Sequence, residues 1–388
     1  PIISPDDAIM HADAICNGEG EIAFKHFFDN FSNGRDYTST KNFWFRHHGN
    51  IIKNDFLPLQ TNEEMSELPL IEYASGEEHI VEGKEIVSLT RDHYLRYNGL
   101  GYNTIWSIGC PFKCNFCGNT KYIENDAGYR KIRHPSVEHL MAELEHAKKK
   151  HPHIGTVSFY DDSFMALPIK TLAEFADNYK RQIGIPFCVY GVIPNYVKDE
   201  KLEILCAAGL QRIRMGIQSG SERMLKFYER PSPPAVVKKS VGIITRYKKQ
   251  LMPPTYDIII DNPLEKKEDV VETLRFIYEL PRPFHLNIFS LTVMPGTTME
   301  KQFAQIARED KIVADALRSK VHFKVDAEGN ETVINESTKP TTANVLLFLL
   351  TFFKPPRFLF EKWIAKSRPF YEEQELFPLL LWICKLLW

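Results

Sequence analysis

The residues with the clearest chemical potential lie in Gly109-Cys110-Pro111-Phe112-Lys113-Cys114-Asn115-Phe116-Cys117-Gly118-Asn119, where three of the chain's seven cysteines sit four and then three residues apart. Thiols gathered this tightly are a ligand set rather than a coincidence of composition. Pro111 directly after the first cysteine, with Gly109 and Gly118 at either end, predicts a loop rather than a helix face. Thiolates are soft donors suited to zinc or to an iron–sulfur cluster, and a structural zinc normally takes four protein ligands. The loop contains no histidine and the next cysteine is the distant Cys188, so the local set has three donors. Three thiolates on a cubane cluster leave one iron open to a small molecule. A zinc knuckle completed by a distant His or Cys, and a disulfide-bearing loop, are the other readings of the same residues.

The C-x3-C-x2-C spacing with Phe116 just before the third cysteine resembles the signature of the radical S-adenosylmethionine (SAM) enzymes. That resemblance implies Cys110, Cys114 and Cys117 as ligands of a 4Fe–4S cluster, SAM on the open iron, and Phe116 as a SAM contact near the adenine. Two further stretches gain meaning beside it. In Ser158–Phe164 the adjacent Asp161 and Asp162 would point to opposite sides of a strand, so one can face a site while the other caps a turn. The resemblance implies that an acidic residue here accepts hydrogen bonds from the SAM amino group, as a carboxylate suits an ammonium, and Asp162 is favoured over Asp161. The string Gln218-Ser219-Gly220-Ser221 offers hydroxyls and close backbone approach at a helix start, a seat for a carboxylate. Gln218 stands where many relatives carry Glu, losing a charge but keeping an acceptor for ribose hydroxyls. Turn chemistry and helix capping are the competing explanation for both stretches.

Hydrophobic periodicity supplies the elements that must hold these residues. Strands are predicted at 103–108, 156–160, 186–191, 212–217, 256–260 and 284–291, with helices from Ser136, at 168–182, 199–208, about 234–249 and 266–279, and after Thr298. Six strand–helix units predict an α/β fold with a parallel sheet covered by helices, and the resemblance implies a partial (β/α)6 barrel of the TIM-like kind. In such barrels chemistry collects at the C-terminal ends of the strands. The residues following each strand are the cysteine loop, Asp161-Asp162, Asn195, Gln218–Ser221, Asp261-Asn262-Pro263 and Met294-Pro295-Gly296, which are polar or turn-forming throughout.

Ahead of the barrel, Ala14–Cys16 reads as a short strand and Gly18-Glu19-Gly20-Glu21 as the entry to a helix running to about Phe31. Glu at a helix start suits the dipole. Beside the cysteine loop, this segment resembles the close of the cobalamin-binding, Rossmann-like domain that precedes the barrel in one large subfamily, which implies that most of that domain lies upstream of Pro1. The expected organisation is 1–34 as that remnant, 35–98 as a connecting segment with a hairpin and turn-rich polar pieces such as His47–Asn50, 99–312 as the barrel, and 313–388 as a helical C-terminal region.

With 388 residues, 44% hydrophobic and 25% charged, the chain can bury a large core. A net charge of −2 gives no general attraction to nucleic acid or anionic membrane, and no apolar run reaches the roughly 20 residues of a transmembrane helix. An odd number of cysteines with three clustered argues for a reducing cytoplasm. The resemblance implies SAM cleavage that starts radical chemistry on an unactivated carbon of a small-molecule or peptide substrate, fed by a low-potential reductase such as flavodoxin or ferredoxin. It also implies cobalamin-dependent methyl transfer or rearrangement. The rivals are a methylthiotransferase-like radical SAM enzyme and a non-catalytic iron–sulfur or zinc scaffold.

Overall fold

Alternation along the predicted strands becomes a six-stranded parallel sheet in a computed structural model that describes residues 2, 4–71, 77–309, 322–325, 331–334 and 341–365. The strands are β6 (Gly101–Thr104), β7 (Thr156–Phe159), β8 (Phe187–Val192), β9 (Leu210–Gln218), β10 (Thr255–Ile260) and β11 (His285–Ser290), in the sheet order 11-10-9-8-7-6. This is the partial (β/α)6 barrel expected, and each strand lies within a few residues of its predicted span. Helices Val137–Lys150, Ile169–Asn178, Asp199–Ala208, Pro234–Arg246 and Lys267–Glu279 separate successive strands. Their ends follow the sequence signals: Ser136 Oγ accepts the His139 N–H at 3.1 Å, and Gly209 closes Asp199–Ala208 in the left-handed region at φ +111°.

The chain divides into two compact units. The first comprises Pro1–Ser163, Leu167–Pro186 and Met294–Glu300; the second comprises Phe164–Ala166, Phe187–Val293 and Lys301–Trp388. In the first unit, β1 (Ala14–Cys16) pairs antiparallel with β2 (Phe43–His47), which pairs with β3 (Asn50–Lys53) through a turn at His48-Gly49 with both φ positive. The predicted helix after the Gly-Glu repeat spans Glu21–Ser32 and lays Phe27 on Phe43 with ring centroids 5.1 Å apart. The connecting segment holds a second hairpin, β4 (His79–Glu82) with β5 (Glu85–Ser88), and the helix Arg91–Asn98.

In the second unit, helix Thr342–Phe352 packs on Lys267–Glu279 and on β11, burying Ala343, Leu346, Leu347 and Leu350. An apolar tail helix therefore covers the sheet, as its composition suggests. The break at Lys354–Arg357 separates it from helix Arg357–Ile364. The C-terminal region also carries a two-stranded ribbon, β12 (His322–Val325) with β13 (Glu331–Ile334), where the sequence suggests helix. The β-branched residues of Glu331–Ile334 favour a pleated strand. Cys384 lies outside the described residues. Among those described, no helix is long and apolar enough to cross a membrane.

Candidate functional site

The cysteine loop is entered through a glycine that accepts no substitute. Gly109 sits at φ +115°, and a Cβ there would lie 2.3 Å from the Lys131 carbonyl oxygen and 3.0 Å from that of Tyr129. Glycine is required on both counts. Ile108 exchanges both backbone hydrogen bonds with Arg133, Cys110 N–H donates to the Tyr129 carbonyl at 3.0 Å, and Ser163 Oγ donates to the Gly109 carbonyl at 2.9 Å. The loop then turns, with Cys117 N–H donating to the Cys114 carbonyl at 3.0 Å, and runs into helix Asn119–Asn125. From the loop after β11, the Met299 N–H donates to the Asn115 carbonyl at 2.9 Å, so the Met294–Glu300 turn braces the cysteines.

The two adjacent aspartates go opposite ways. Asp161 is buried and accepts from the backbone N–H groups of Trp106 and Ser107, at 3.2 and 2.6 Å, and from the Ser107 hydroxyl. Burial pushes its carboxyl up to about 6 against the pull of those donors. It fixes the stretch that enters the cysteine loop. Asp162 instead faces a cavity of about 360 Å³ together with Cys110, Asn119, Tyr122 and Tyr160. The cavity walls withdraw solvent from its carboxyl and raise it, offset by the Asn119 side-chain hydrogen bond. Burial also pushes the Cys110 thiol up to about 12.

The same cavity is also lined by Gly18-Glu19-Gly20-Glu21. Glu19 is more than a helix cap: its carboxylate receives Arg133 Nη2 at 2.6 Å, Arg133 Nη1 at 3.3 Å and the Gln60 N–H at 2.9 Å. Arg133 Nη1 also donates to the Gln60 carbonyl at 2.7 Å, and its guanidinium lies 5.3 Å from the Tyr129 ring centre. This clamp ties the N-terminal segment to the chain leaving the cysteine loop. The Gly-Glu repeat signals one half of it; an isolated arginine such as Arg133 carries no signal of its own.

Of the residues singled out from sequence, Cys110 and Asp162 therefore meet at one cavity. Cys114 is buried, Cys117 is half-buried and Phe116 is half-buried between them. None of the six described cysteines is in a disulfide. Three thiols on one loop match a cluster in number and softness of donors. As they stand, however, no three His, Cys, Asp or Glu side chains among the described residues form a group that could hold a metal ion.

Gln218 and Ser219 belong to the second unit. Gln218 takes φ +73° and folds its side chain over Gly216. Ser219 is buried with Oγ 3.1 Å from Thr273 Oγ1, Gly220 N–H donates to the same hydroxyl at 3.0 Å, and Ser221 Oγ donates to Asp269 at 2.7 Å. These three residues clasp helix Lys267–Glu279. Asn195 accepts from Ser232 Oγ at 2.6 Å and donates to the Pro231 carbonyl at 2.8 Å, and so is engaged in its own turn.

Residues 104–277, from β6 into helix Lys267–Glu279, match the Radical SAM superfamily. An uncharacterized methyltransferase of Pyrococcus horikoshii is 25% identical over 289 residues, covering 74% of this chain and 57% of that protein. A tRNA-2-methylthio-N(6)-dimethylallyladenosine synthase of Clavibacter michiganensis is 30% identical over 259 residues, covering 60% of this chain and 44% of the other. The chain thus spans about half the length of these relatives. The cobalamin-dependent SAM radical enzyme OxsB, solved with aqua-cobalamin and SAM bound, superposes with a TM-score of 0.62 at 16% identity, over 89% of this chain and 51% of that one. At that identity the likeness is one of fold.

Proposed function

Residues 104–277 match the Radical SAM superfamily, and from that match we propose that the chain is a radical SAM enzyme that reductively cleaves SAM to begin radical chemistry on an unactivated carbon. The observation that carries this reading is the joining of Cys110 and Asp162 at one cavity of about 360 Å³, a volume within the usual range for a small-ligand pocket. Cys110, Cys114 and Cys117 would hold the 4Fe–4S cluster. The chemistry such a cluster supplies when bound is one-electron reduction of the SAM sulfonium, which releases methionine and a 5′-deoxyadenosyl radical.

The chain's own residues bind, orient and enclose. Asp162, held by Asn119, offers a carboxylate to the SAM ammonium in a place poor in solvent, where a charge-assisted hydrogen bond is at its strongest. Asp161 locks Trp106 and Ser107, and Gly109 lets the loop pass against the Lys131 and Tyr129 carbonyls. Phe116 is the proposed adenine contact, and Gln218 and Ser219 the proposed ribose and carboxylate contacts. Glu19 and Arg133 hold the Gly-Glu wall in place, which keeps water and oxygen from the reacting centre.

Cobalamin-dependent methyl transfer, or a cobalamin-assisted rearrangement, is the proposed outcome. It is supported by the fold shared with OxsB, by the methyltransferase name of the Pyrococcus relative and by the Gly-Glu repeat at the cavity wall. The substrate is a small molecule or peptide, and a flavodoxin- or ferredoxin-like protein is the proposed electron donor. The similarity to the tRNA methylthiolating enzyme supports a second reading, methylthio transfer to RNA.

Anaerobically reconstituted protein incubated with SAM and dithionite should release 5′-deoxyadenosine, measured by liquid chromatography and mass spectrometry. The Cys110→Ala/Cys114→Ala/Cys117→Ala variant should release none. Iron-replete wild-type protein that forms no 5′-deoxyadenosine would leave the scaffold reading. A methylthioadenosine in tRNA incubated with the enzyme would favour the second one.

A further inference from the structure

On one face of β9 to β11, a charged group is set up in a manner its structural partners do not exhaust. Residues Ile213, Met215, Ile217, Tyr256 and Ile258 alternate onto the opposite, fully buried face. Arg214, Asp257 and Asn287 therefore share the other side, which in a partial barrel is the concave one. Arg214 is level with Thr255, Asp257 with Asn287, and Ile259 with Phe289. The Arg214 side chain bonds to Asp257, two residues further along, and its guanidinium lies 5.5 Å from the ring centre of Phe289, four residues further along. It is thus raised toward the C-terminal ends of the strands, where barrel enzymes act.

The manner of attachment is informative. An arginine serving only to pair with a carboxylate commonly presents two parallel N–H groups to its two oxygens. Here the single Nε–H is shared between Asp257 Oδ1 and Oδ2, at 2.8 and 3.0 Å. Asn287 Nδ2 donates to the same Oδ1 at 3.0 Å and fixes that carboxylate. Neither Nη nitrogen of Arg214 has a protein acceptor among the described residues, and the side chain keeps 31% of its exposure. Arg212 shares the face two residues earlier, and Arg230 Nη2 donates to the Gly216 carbonyl at 2.8 Å.

We infer that Arg214 is a pre-set receptor for an oxyanion, a carboxylate or a phosphate, carried by the molecule this domain acts on. Asp257 and Asn287 hold the guanidinium by its Nε edge, Phe289 supports its plane, and the two Nη nitrogens form the open fork. Naming the ligand a substrate rests on the enzymatic reading above. The anion site itself does not.

The test is differential labelling of arginines by phenylglyoxal in the full chain, read residue by residue by peptide mass spectrometry, with succinate and inorganic phosphate as the probes. Saturating succinate should slow labelling at Arg214 by roughly tenfold or more, the scale of a charge-assisted hydrogen bond, while surface Arg246 is unaffected. Protection by phosphate alone would assign the phosphate class. Asp257→Asn should weaken the protection, because it frees the guanidinium from its fixed orientation. If neither anion protects Arg214 in the wild-type chain, the proposal is overturned, whatever the folding of the variant. Labelling needs neither cluster nor SAM, so its failure is distinct from a failure of SAM cleavage.

Discussion

Replacing Glu19 with alanine removes the acceptor that two nitrogens of Arg133 and one of Gln60 share. Both side chains of the pair are shielded, at 12% and 14% exposure, so bulk water and salt do little to replace the lost carboxylate. Arg133 would keep only the Gln60 carbonyl at 2.7 Å and the Tyr129 ring. Removing one partner of a buried ion pair costs about 3–5 kcal/mol, mostly as the uncompensated charge left behind. For a unit of this size that corresponds to a fall of roughly 10 °C in Tm. Glu19→Gln retains an acceptor for one nitrogen and should cost about half as much. The decisive arm is the double variant Glu19→Ala/Arg133→Met, which leaves no charge stranded and should recover about 2 kcal/mol relative to Glu19→Ala alone. Urea unfolding followed by the fluorescence of Trp44 and Trp106, both in the first unit, reports these differences. If Glu19→Ala lies within about 1 kcal/mol of wild type, or if the two single costs simply add, the clamp is not what holds the segments together.

Gly109→Ala should destabilise the first unit by about 1–3 kcal/mol from backbone strain, more with the contact to the Lys131 carbonyl. It should also lower the iron bound after anaerobic reconstitution, measured by ferrozine assay. Gly220→Ala would push a Cβ to 2.6 Å from Phe276 Cβ and 2.7 Å from Thr273 Cα; calorimetry should show an overpacking loss of about 1–3 kcal/mol. Glu143 supplies a pH test. Its carboxyl is raised by burial and accepts from the Tyr102 and Thr104 hydroxyls, each at 2.9 Å. A raised carboxyl means the folded state holds the proton more tightly than the unfolded chain, so its contribution is full below the ordinary carboxylate range and is lost as pH rises through the folded value. Glu143→Gln keeps the acceptor without the charge, so its Tm relative to wild type should improve from pH 5 to pH 8; a pH-independent difference would refute this.

The site residues divide by whether their role is local. The C-x3-C-x2-C spacing, the Ser136 and Gly209 helix boundaries, and the alternation of β9 and β10 all depend on neighbours a few residues away. A linear chain displays them. The opposite orientations of Asp161 and Asp162 are of the same kind, since adjacent residues of a strand face apart, though the sequence favours Asp162 without showing what Asp161 would grip.

Tertiary structure alone decided the partners that lie far apart along the chain. Glu19 reaches Arg133 across 114 positions, and Arg214 reaches Asp257 across 43. Ser219 and Ser221 are turned onto Thr273 and Asp269, a helix away. Each is one charge or hydroxyl whose meaning comes from the group that folding brings beside it, and nothing periodic or composition-based marks that group in advance. The sequence by itself determined which residues could bind and where the strands would end, because backbone geometry and solvent aversion act locally. Which of those side chains face a cavity, and which serve only to hold its walls, was decided by long-range packing.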